Sequence, residues 1–355
     1  MTFSRGYVAK GPADARAFAM LVSGPVHSRF TRMAAARFSL LRLLADGEIH
    51  EGERIGSALG LSAVEVGSVI EELEVMGVEV LRSGRGFRLA ERVDLYDAGL
   101  LAQRLAREAP ALRVEVIDEC PSTSGALAAR AKAGDAHGAV IVCEHQAAGR
   151  GRRGNSWVST IGGSLTFSVL WRFPRGAGAL AGLSLAVAVA AAKALERLGA
   201  RGVALKWPND LYCEGRKLGG ILVETIGDSA GASAAVVGVG INMRLDARAR
   251  KRIGRPATDI ASHSPALPSR TAALAELLAS IASTLEQFSR EGFAPFRRAW
   301  LERHAWAGMR VVLSEADRRV AEGEVVGIAE DGALMLASAN GVERFHNGEL
   351  SLRPG

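Results

Sequence analysis

Gln146-Ala147-Ala148-Gly149-Arg150-Gly151-Arg152-Arg153-Gly154-Asn155-Ser156-Trp157 is a run in which three arginines alternate with three glycines. Glycine lets the backbone approach a ligand and take conformations that other residues resist. Arginine presents a planar, permanently charged donor set to a phosphate or a carboxylate. A segment this polar and glycine-rich buries little of itself, so it is expected to order around its ligand. No Gly-x-x-x-x-Gly-Lys-Ser/Thr occurs, so it is not a Walker loop. On composition alone the alternative is a solvated basic turn.

A second stretch, Lys206-Trp207-Pro208-Asn209-Asp210-Leu211-Tyr212, is followed by Gly215-Arg216-Lys217-Leu218-Gly219-Gly220-Ile221-Leu222-Val223-Glu224. Lys206 closes the apolar run Val203-Ala204-Leu205 and precedes a Trp-Pro turn, a poor place for a merely solubilising charge. Pro208-Asn209-Asp210 has turn chemistry, and Asp210 is placed to pair with the lysine or to sit near a cation. Gly219-Gly220 inside a strand signals close approach of a ligand or another backbone. The alternative is a core Trp207 with Lys206 reaching past it to water.

Around these stretches the chain reads as α/β. Ala139–Val142, Leu165–Leu170, Ile221–Val223 and Ala235–Val239 are strand-like, whereas Leu183–Leu198 and Ala272–Phe288 are helical. Upstream, Leu40–Leu44, Glu51–Leu59 and a helix capped by Ser62 give three short helices. Val78–Leu81 and Gly86–Leu89 then form a hairpin, so the pattern predicts a winged helix-turn-helix, with a small helical interaction domain as the alternative. Beyond Gly308, short alternating strands predict a small SH3-like β-barrel. The expected organisation is a tail over 1–34, the winged domain over 35–92, an α/β (α+β) catalytic domain with a mixed sheet over 93–304, and the barrel over 305–355.

A chain of 355 residues suits two or three domains, and 48% hydrophobic with 23% charged residues excludes a wholly disordered or fibrous protein. The apolar stretch Gly176–Ala192 is too short for a bilayer, so no membrane association is expected. Cys120, Cys143 and Cys213 supply neither a disulfide framework nor a metal-ligand spacing and point to a reducing, cytoplasmic compartment. Net charge is +6, but residues 1–34 carry +4 of it. That tail is read as disordered, with a targeting presequence as the alternative.

Taken together, the two stretches resemble the biotin–protein ligases, specifically the bifunctional biotin ligase/biotin-operon repressors, and the resemblance covers roughly residues 35–355. Gly-Arg-Gly-Arg-Arg-Gly-x-x-Trp is similar to the family's biotin- and adenylate-binding loop. Lys-Trp-Pro-Asn-Asp-Leu-Tyr with Arg-Lys-Leu-x-Gly-Ile-Leu-Val-Glu is similar to its second signature, and Gly238-Val239-Gly240-Ile241-Asn242 to a third. The related lipoate ligases share the fold with different loop sequences.

The resemblance implies synthesis of biotinyl-5′-AMP from biotin and ATP, then transfer of biotin to a lysine of a biotin carboxyl carrier protein. It implies Mg²⁺ carried with the nucleotide and near Asn242. Lys206 and Arg152 are the expected catalytic residues. Biotin is expected at Ser122, Thr123, Ser124, Gln146, Arg150, Gly151, Arg152 and Lys206, and ATP or the adenylate at Arg150, Arg152, Arg153, Trp157, Lys206, Lys217 and Asn242. A weak, ligand-promoted homodimer through a sheet edge is also expected. The chain departs from the family in two places: Ser124 replaces a usual asparagine, and Asn155 stands where many relatives have a basic residue.

Two other readings stand beside the ligase: a lipoate or octanoate ligase of the same fold, and a ligand-sensing transcription factor. Charge bears on the second. The candidate recognition helix, Ser62–Glu74, holds four glutamates and no Lys or Arg, and residues 35–92 hold seven basic and ten acidic side chains. A helix of that sign repels the phosphate backbone, so operator DNA binding and repression are expected to be lost, with the wing arginines Arg82, Arg85 and Arg88 and the basic tail as the counter-argument.

Overall fold

Pro25 opens the first helix, α1 (Pro25–Leu44), where a proline's missing N–H is no loss because the first turn has no partner for it. The structure is a computed structural model that describes residues 25–84, 86–227, 231–315, 318–346 and 350–354. The tail expected to be disordered over 1–34 is therefore helical from Pro25 onward: the Gly24-Pro25 break falls at the helix start rather than inside it. Residues 1–24 lie outside the described residues.

The chain divides after Val93 into two compact units. In the first, α1 is followed by β1 (His50–Glu51), α2 (Gly52–Leu59), α3 (Ala63–Val75), β2 (Val80–Ser83) and β3 (Gly86–Leu89), with an antiparallel sheet in the order β1-β3-β2. Gly60 ends α2 in the left-handed conformation, and Ser62 with Glu65 forms a reciprocal capping box at the start of α3. Helical spacing puts Val66, Val69, Ile70 and Leu73 of α3 into the core beside Phe38, Leu40, Leu41, Leu44 and Ile55.

The second unit begins with α4 (Ala98–Glu108), capped by Asp97. It continues through β4 (Arg113–Cys120), α5 (Thr123–Lys132), β5 (Ala139–Gln146), β6 (Gly149–Arg150), β7 (Ser156–Trp157), β8 (Ser164–Phe173), α6 (Leu183–Arg197), β9 (Val203–Lys206), β10 (Asp210–Cys213), β11 (Arg216–Ile226) and β12 (Ser233–Asn242). After these come α7 (Ala247–Ile253), α8 (Arg270–Glu291), α9 (Ala294–Leu301) and the strands β13 (Arg310–Glu315), β14 (Arg318–Ile328), β15 (Leu334–Ser338), β16 (Gly341–Phe345) and β17 (Leu350–Pro354). A seven-stranded sheet in the order β4-β5-β8-β12-β11-β10-β9 carries the fold. It is mixed: β4 and β5 run parallel and the other pairs antiparallel.

Strands β5 and β12 are buried along their whole length, which is why they read as apolar runs rather than alternations. The alanine-rich α6 packs with α4 and α8 on one face of the sheet, and α5 covers part of the other through Leu127 and Ala131. The apolar stretch around residues 177–197 is thus largely a core helix, with Leu183–Ala192 all buried. The last five strands form an antiparallel sheet in the order β16-β15-β14-β13-β17, and its Val311, Val325, Ile328 and Leu334 share the core of α6.

A buried ion pair joins distant parts of this unit. Arg270, at the start of α8, lies 2.6 Å from Glu144 of β5, with both side chains at most 2% exposed. The guanidinium also donates to the Ser164 carbonyl and lies 3.9 Å from the Tyr96 ring, while Glu144 accepts from the Tyr96 amide. Breaking such a pair leaves an uncompensated charge inside the protein. Glu144→Ala is expected to cost about 3–5 kcal/mol in urea unfolding. Glu302→Ala, at the exposed Arg298–Glu302 pair, is expected to stay within about 0.5 kcal/mol.

Candidate active site

The parallel strands β4 and β5 end side by side, and both continue into polar segments. After β4, Ser122 caps α5 by accepting from the Gly125 amide, which sets Ser122, Thr123 and Ser124 at the helix N-terminus. Gln146 ends β5, and its Oε1 accepts from the Thr123 amide at 2.6 Å. The Thr123 and Ser168 hydroxyls lie 2.8 Å apart, and those of Ser122 and Ser124 3.2 Å apart. All five side chains line a cavity of about 520 Å³.

The arginine–glycine segment has a paired backbone. It forms a small hairpin in which β6 pairs with β7. Gly151 N–H donates to the Asn155 carbonyl at 2.7 Å, and Asn155 returns backbone and side-chain donors to the Arg152 carbonyl. The backbone pairs across a tight turn even though the side chains bury little. Asn155, where relatives often have a base, closes that turn.

Two glycines make the hairpin fit. A Cβ on Gly240 of β12 would sit 2.5 Å from the Trp157 ring, and one on Gly149 would sit 2.5 Å from the Trp157 carbonyl. Trp157 therefore lies flat against a strand that has no side chain there.

Cations crowd the same cavity: Arg150, Arg152, Arg153, Lys206, Lys217 and Arg255 all line it. Burial, and then the charge of Arg153, push the Arg152 guanidinium below its usual range, with Asp210 acting the other way. Arg150 and Lys217 bond acidic side chains. Arg150 donates to both Glu224 oxygens at 3.1 and 2.8 Å and to the Ser124 hydroxyl at 3.3 Å. Lys217 lies 2.5 Å from Asp210. The acid expected to serve Lys206 or another cation thus has Lys217 as its bonded partner. Trp207 is core, 1% exposed, while Lys206 faces the cavity.

A second cavity of about 260 Å³ adjoins the first, sharing Trp157, Lys217 and Arg255 and adding Val158, Asn242, Ile253 and Ala257. Asn242 donates to the Thr258 carbonyl, but its Oδ1 is buried without a hydrogen-bond partner, as is Trp157 Nε1. These orphaned groups suit a ligand that brings both hydrogen-bonding functions and an apolar face.

The residue at each end of the chemistry has counterparts elsewhere. Residues 121–242 match the model of the biotin/lipoate A/B protein ligase family, and residues 308–353 that of the biotin protein ligase C-terminal domain. The bifunctional ligase/repressor BirA of Salmonella typhimurium is 36% identical over 319 residues, covering 89% of this chain and 97% of that protein. Its Escherichia coli counterpart is also 36% identical, over 88% of this chain and 96% of that protein. The chain belongs to the biotin–protein ligase family. Among solved structures, the ligase from Aquifex aeolicus in complex with biotin and ATP is 27% identical with a TM-score of 0.59, covering 68% of this chain and 99% of that one.

Every residue singled out in the ligase sequence is brought to one of the two cavities. All but Asn242 line the first, and Asn242 lines the second. Sequence reading passed over Ser168 and Arg255. Their signals were there: Ser164, Thr166 and Ser168 alternate through an apolar strand, and Arg255 ends the basic run that begins at Arg248.

The flat contact on Gly240 generates a test. Gly240→Ala is expected to displace Trp157, lower stability by about 1–3 kcal/mol and change indole fluorescence. Gly178→Ala, where nothing lies within 4 Å of the added carbon, is expected to change neither.

Proposed function

We propose that this chain joins biotin to ATP in its larger cavity and passes the biotinyl group to a lysine of a biotin carboxyl carrier protein. One observation carries the proposal: a set of neutral hydroxyl and amide groups and a set of cations line one cavity. The first suits an uncharged polar ring, held by Ser122, Thr123, Ser124 and Gln146. The second suits a carboxylate facing a triphosphate.

A carboxylate is already a nucleophile, so adenylation needs no activating base. A biotin carboxylate oxygen attacks the α-phosphorus, the bond to the bridging oxygen breaks, and pyrophosphate leaves. In the second step the carrier's uncharged lysine amine attacks the acyl carbon, AMP departs with the former carboxylate oxygen, and the amine's extra proton is lost. The protein's task is to hold two anions together and stabilise charge growing at phosphorus. Lys206 and Arg152 take that role, and Arg150, with the Gly151 backbone beside it, clamps the carboxylate or adenylate. Arg153 and Lys217 face the phosphates, while Trp157 and Asn242 meet the nucleoside in the second cavity. Asn242 Oδ1 and the Asp210 carboxylate are oxygen donors of the kind Mg²⁺ accepts alongside phosphates. Bound with ATP, the ion offsets phosphate charge and assists pyrophosphate departure.

The carrier partner is read from relatives such as the biotin–[acetyl-CoA-carboxylase] ligase of Paracoccus denitrificans, 35% identical over 57% of this chain and 85% of that protein. ATP as substrate and three free thiols fit a cytoplasmic enzyme. Strand β4, an edge of the seven-stranded sheet, is the surface for a weak, ligand-promoted homodimer.

With ATP and a purified carboxyl-carrier domain, biotin, lipoate and octanoate offered in parallel are expected to give biotinylation of one lysine alone. Transfer of lipoate or octanoate at a comparable rate would contradict the proposal. Lys206→Ala is expected to slow pyrophosphate release by on the order of a hundredfold or more with the melting temperature retained, the cost of about 3–4 kcal/mol of transition-state contact.

The first unit has the elements of a winged helix-turn-helix, with α3 as its recognition helix. Along α3, Glu65 serves the cap, Glu72 pairs with Arg37, and Glu74 lies 4.0 Å from Arg82. Val64 and Val75 are exposed to 79% and 78%. A face of carboxylates and valines lacks the Arg, Lys, Asn or Gln that reads base edges. Wing residue Arg85 lies outside the described residues. The relatives' printed names include repression, but here the unit is proposed to serve as a cap or protein contact. Anisotropy titration against the organism's own biotin-synthesis promoters, with biotin and ATP at moderate salt, is expected to show no sequence-specific nanomolar binding.

A further inference from the structure

Lys206 ends β9 at the edge of the main sheet, and the chain following α9 returns to that edge. Leu205 N–H donates to the Arg303 carbonyl at 2.7 Å, and Ala305 N–H donates to the Leu205 carbonyl at 2.9 Å. Arg303 is itself fixed to Glu196 of α6 by two bonds of 2.9 and 2.8 Å. This short, anchored turn delivers Trp306. Its ring centre lies 4.5 Å from Lys206 Nζ, and that of Tyr212, across on β10, lies 5.2 Å away. The ammonium also donates to the Tyr212 hydroxyl at 3.3 Å. Burial and the charge of Asp210 push that hydroxyl up to about 12, so it stays a neutral acceptor. On the next residue, Trp207 Nε1 donates to the Gly332 carbonyl at 3.0 Å, so the C-terminal part of the chain holds both Lys206 and its neighbour.

Lysine carries a charge on four rotatable bonds, and a transition state gains most from a charge that is already in place. An aromatic face attracts an ammonium through its quadrupole and leaves the charge available to a phosphate.

We propose that Trp306 is a positioning residue for adenylation, its indole face and that of Tyr212 holding the Lys206 ammonium toward the cavity where the α-phosphate of ATP reacts. The proposal rests on the reading of Lys206 as the cation that serves this step. It assigns the C-terminal segment its larger part in the first half-reaction, where charge grows at phosphorus, and a smaller one in the second, where charge grows only on the departing AMP oxygen.

The test uses the full chain with Trp306→Leu, Trp306→Phe, Lys206→Gln and the Trp306→Leu/Lys206→Gln double variant. Pyrophosphate release is measured with biotin and ATP, and transfer to a carrier domain from separately supplied biotinyl-5′-AMP. Trp306→Leu is expected to lower kcat for pyrophosphate release about fivefold to tenfold, with the biotin KM and the transfer rate within about twofold of wild type. Trp306→Phe, which keeps a π face, is expected to retain at least about a third of the rate. In the double variant, Trp306→Leu should add nothing to the loss from Lys206→Gln. Wild-type adenylation in Trp306→Leu, equal loss in both half-reactions, or full additivity in the double variant would overturn the proposal. Wild-type rates in Lys206→Gln would overturn the reading of Lys206 itself. Should Trp306→Leu fail to fold, Trp306→Met, bulky without a π face, carries the same expectations and the same contradicting outcomes.

Discussion

Like charges gathered into one cavity repel, and the catalytic unit is organised around holding them there. Arg150, Arg152, Arg153, Lys206, Lys217 and Arg255 converge on one cavity, where burial first and the charge of Arg153 second hold the Arg152 guanidinium below its usual range. The fold answers with two devices. Carboxylates take up some of the charge, Glu224 at Arg150 and Asp210 at Lys217. Rigid backbone then fixes what remains: the β6–β7 hairpin, Trp157 laid against Gly240, and the β9 strand pinned from outside by residues 303–305. A site of this kind favours incoming anions because they relieve repulsion already present.

Neutral polar groups line the same cavity. The hydroxyls of Ser122, Thr123, Ser124 and Ser168 and the Gln146 amide already bond one another or neighbouring backbone. They add polarity without adding charge. Ser124 joins the neutral set to the cations, since its hydroxyl accepts from Arg150. The shorter side chain at this position leaves the guanidinium a partner among the neutral groups as well as at Glu224.

Much of this was legible in sequence because it is local. The arginine–glycine run, the Lys206 stretch and Gly238–Asn242 each carry their chemistry within a dozen residues, and the helices α6 and α8 announce themselves by composition and period. What escaped notice is non-local. No spacing rule connects Arg270 to Glu144, or Trp306 to Lys206, since each pair is brought together only by the sheet. Strand β4 alternates weakly because its burial is mostly partial. The hairpin at 149–157 was missed for a different reason: side-chain polarity does not report backbone pairing. In the first unit the charge pattern could be read directly, and the geometry adds that three of the four α3 glutamates, Glu65, Glu72 and Glu74, have local work in a cap or beside an arginine.

The central claim is that the neutral groups take the ring of biotin while the cations join its carboxylate to the α-phosphate. A crystal structure with biotinol-5′-AMP, a stable analogue of the adenylate, tests it most directly. The account predicts the ring against Ser122, Thr123 and Gln146, the phosphate between Arg152 and Lys206, and the adenine beside Trp157 and Asn242. A phosphate away from both cations, or a ring lodged among the cations, would contradict it.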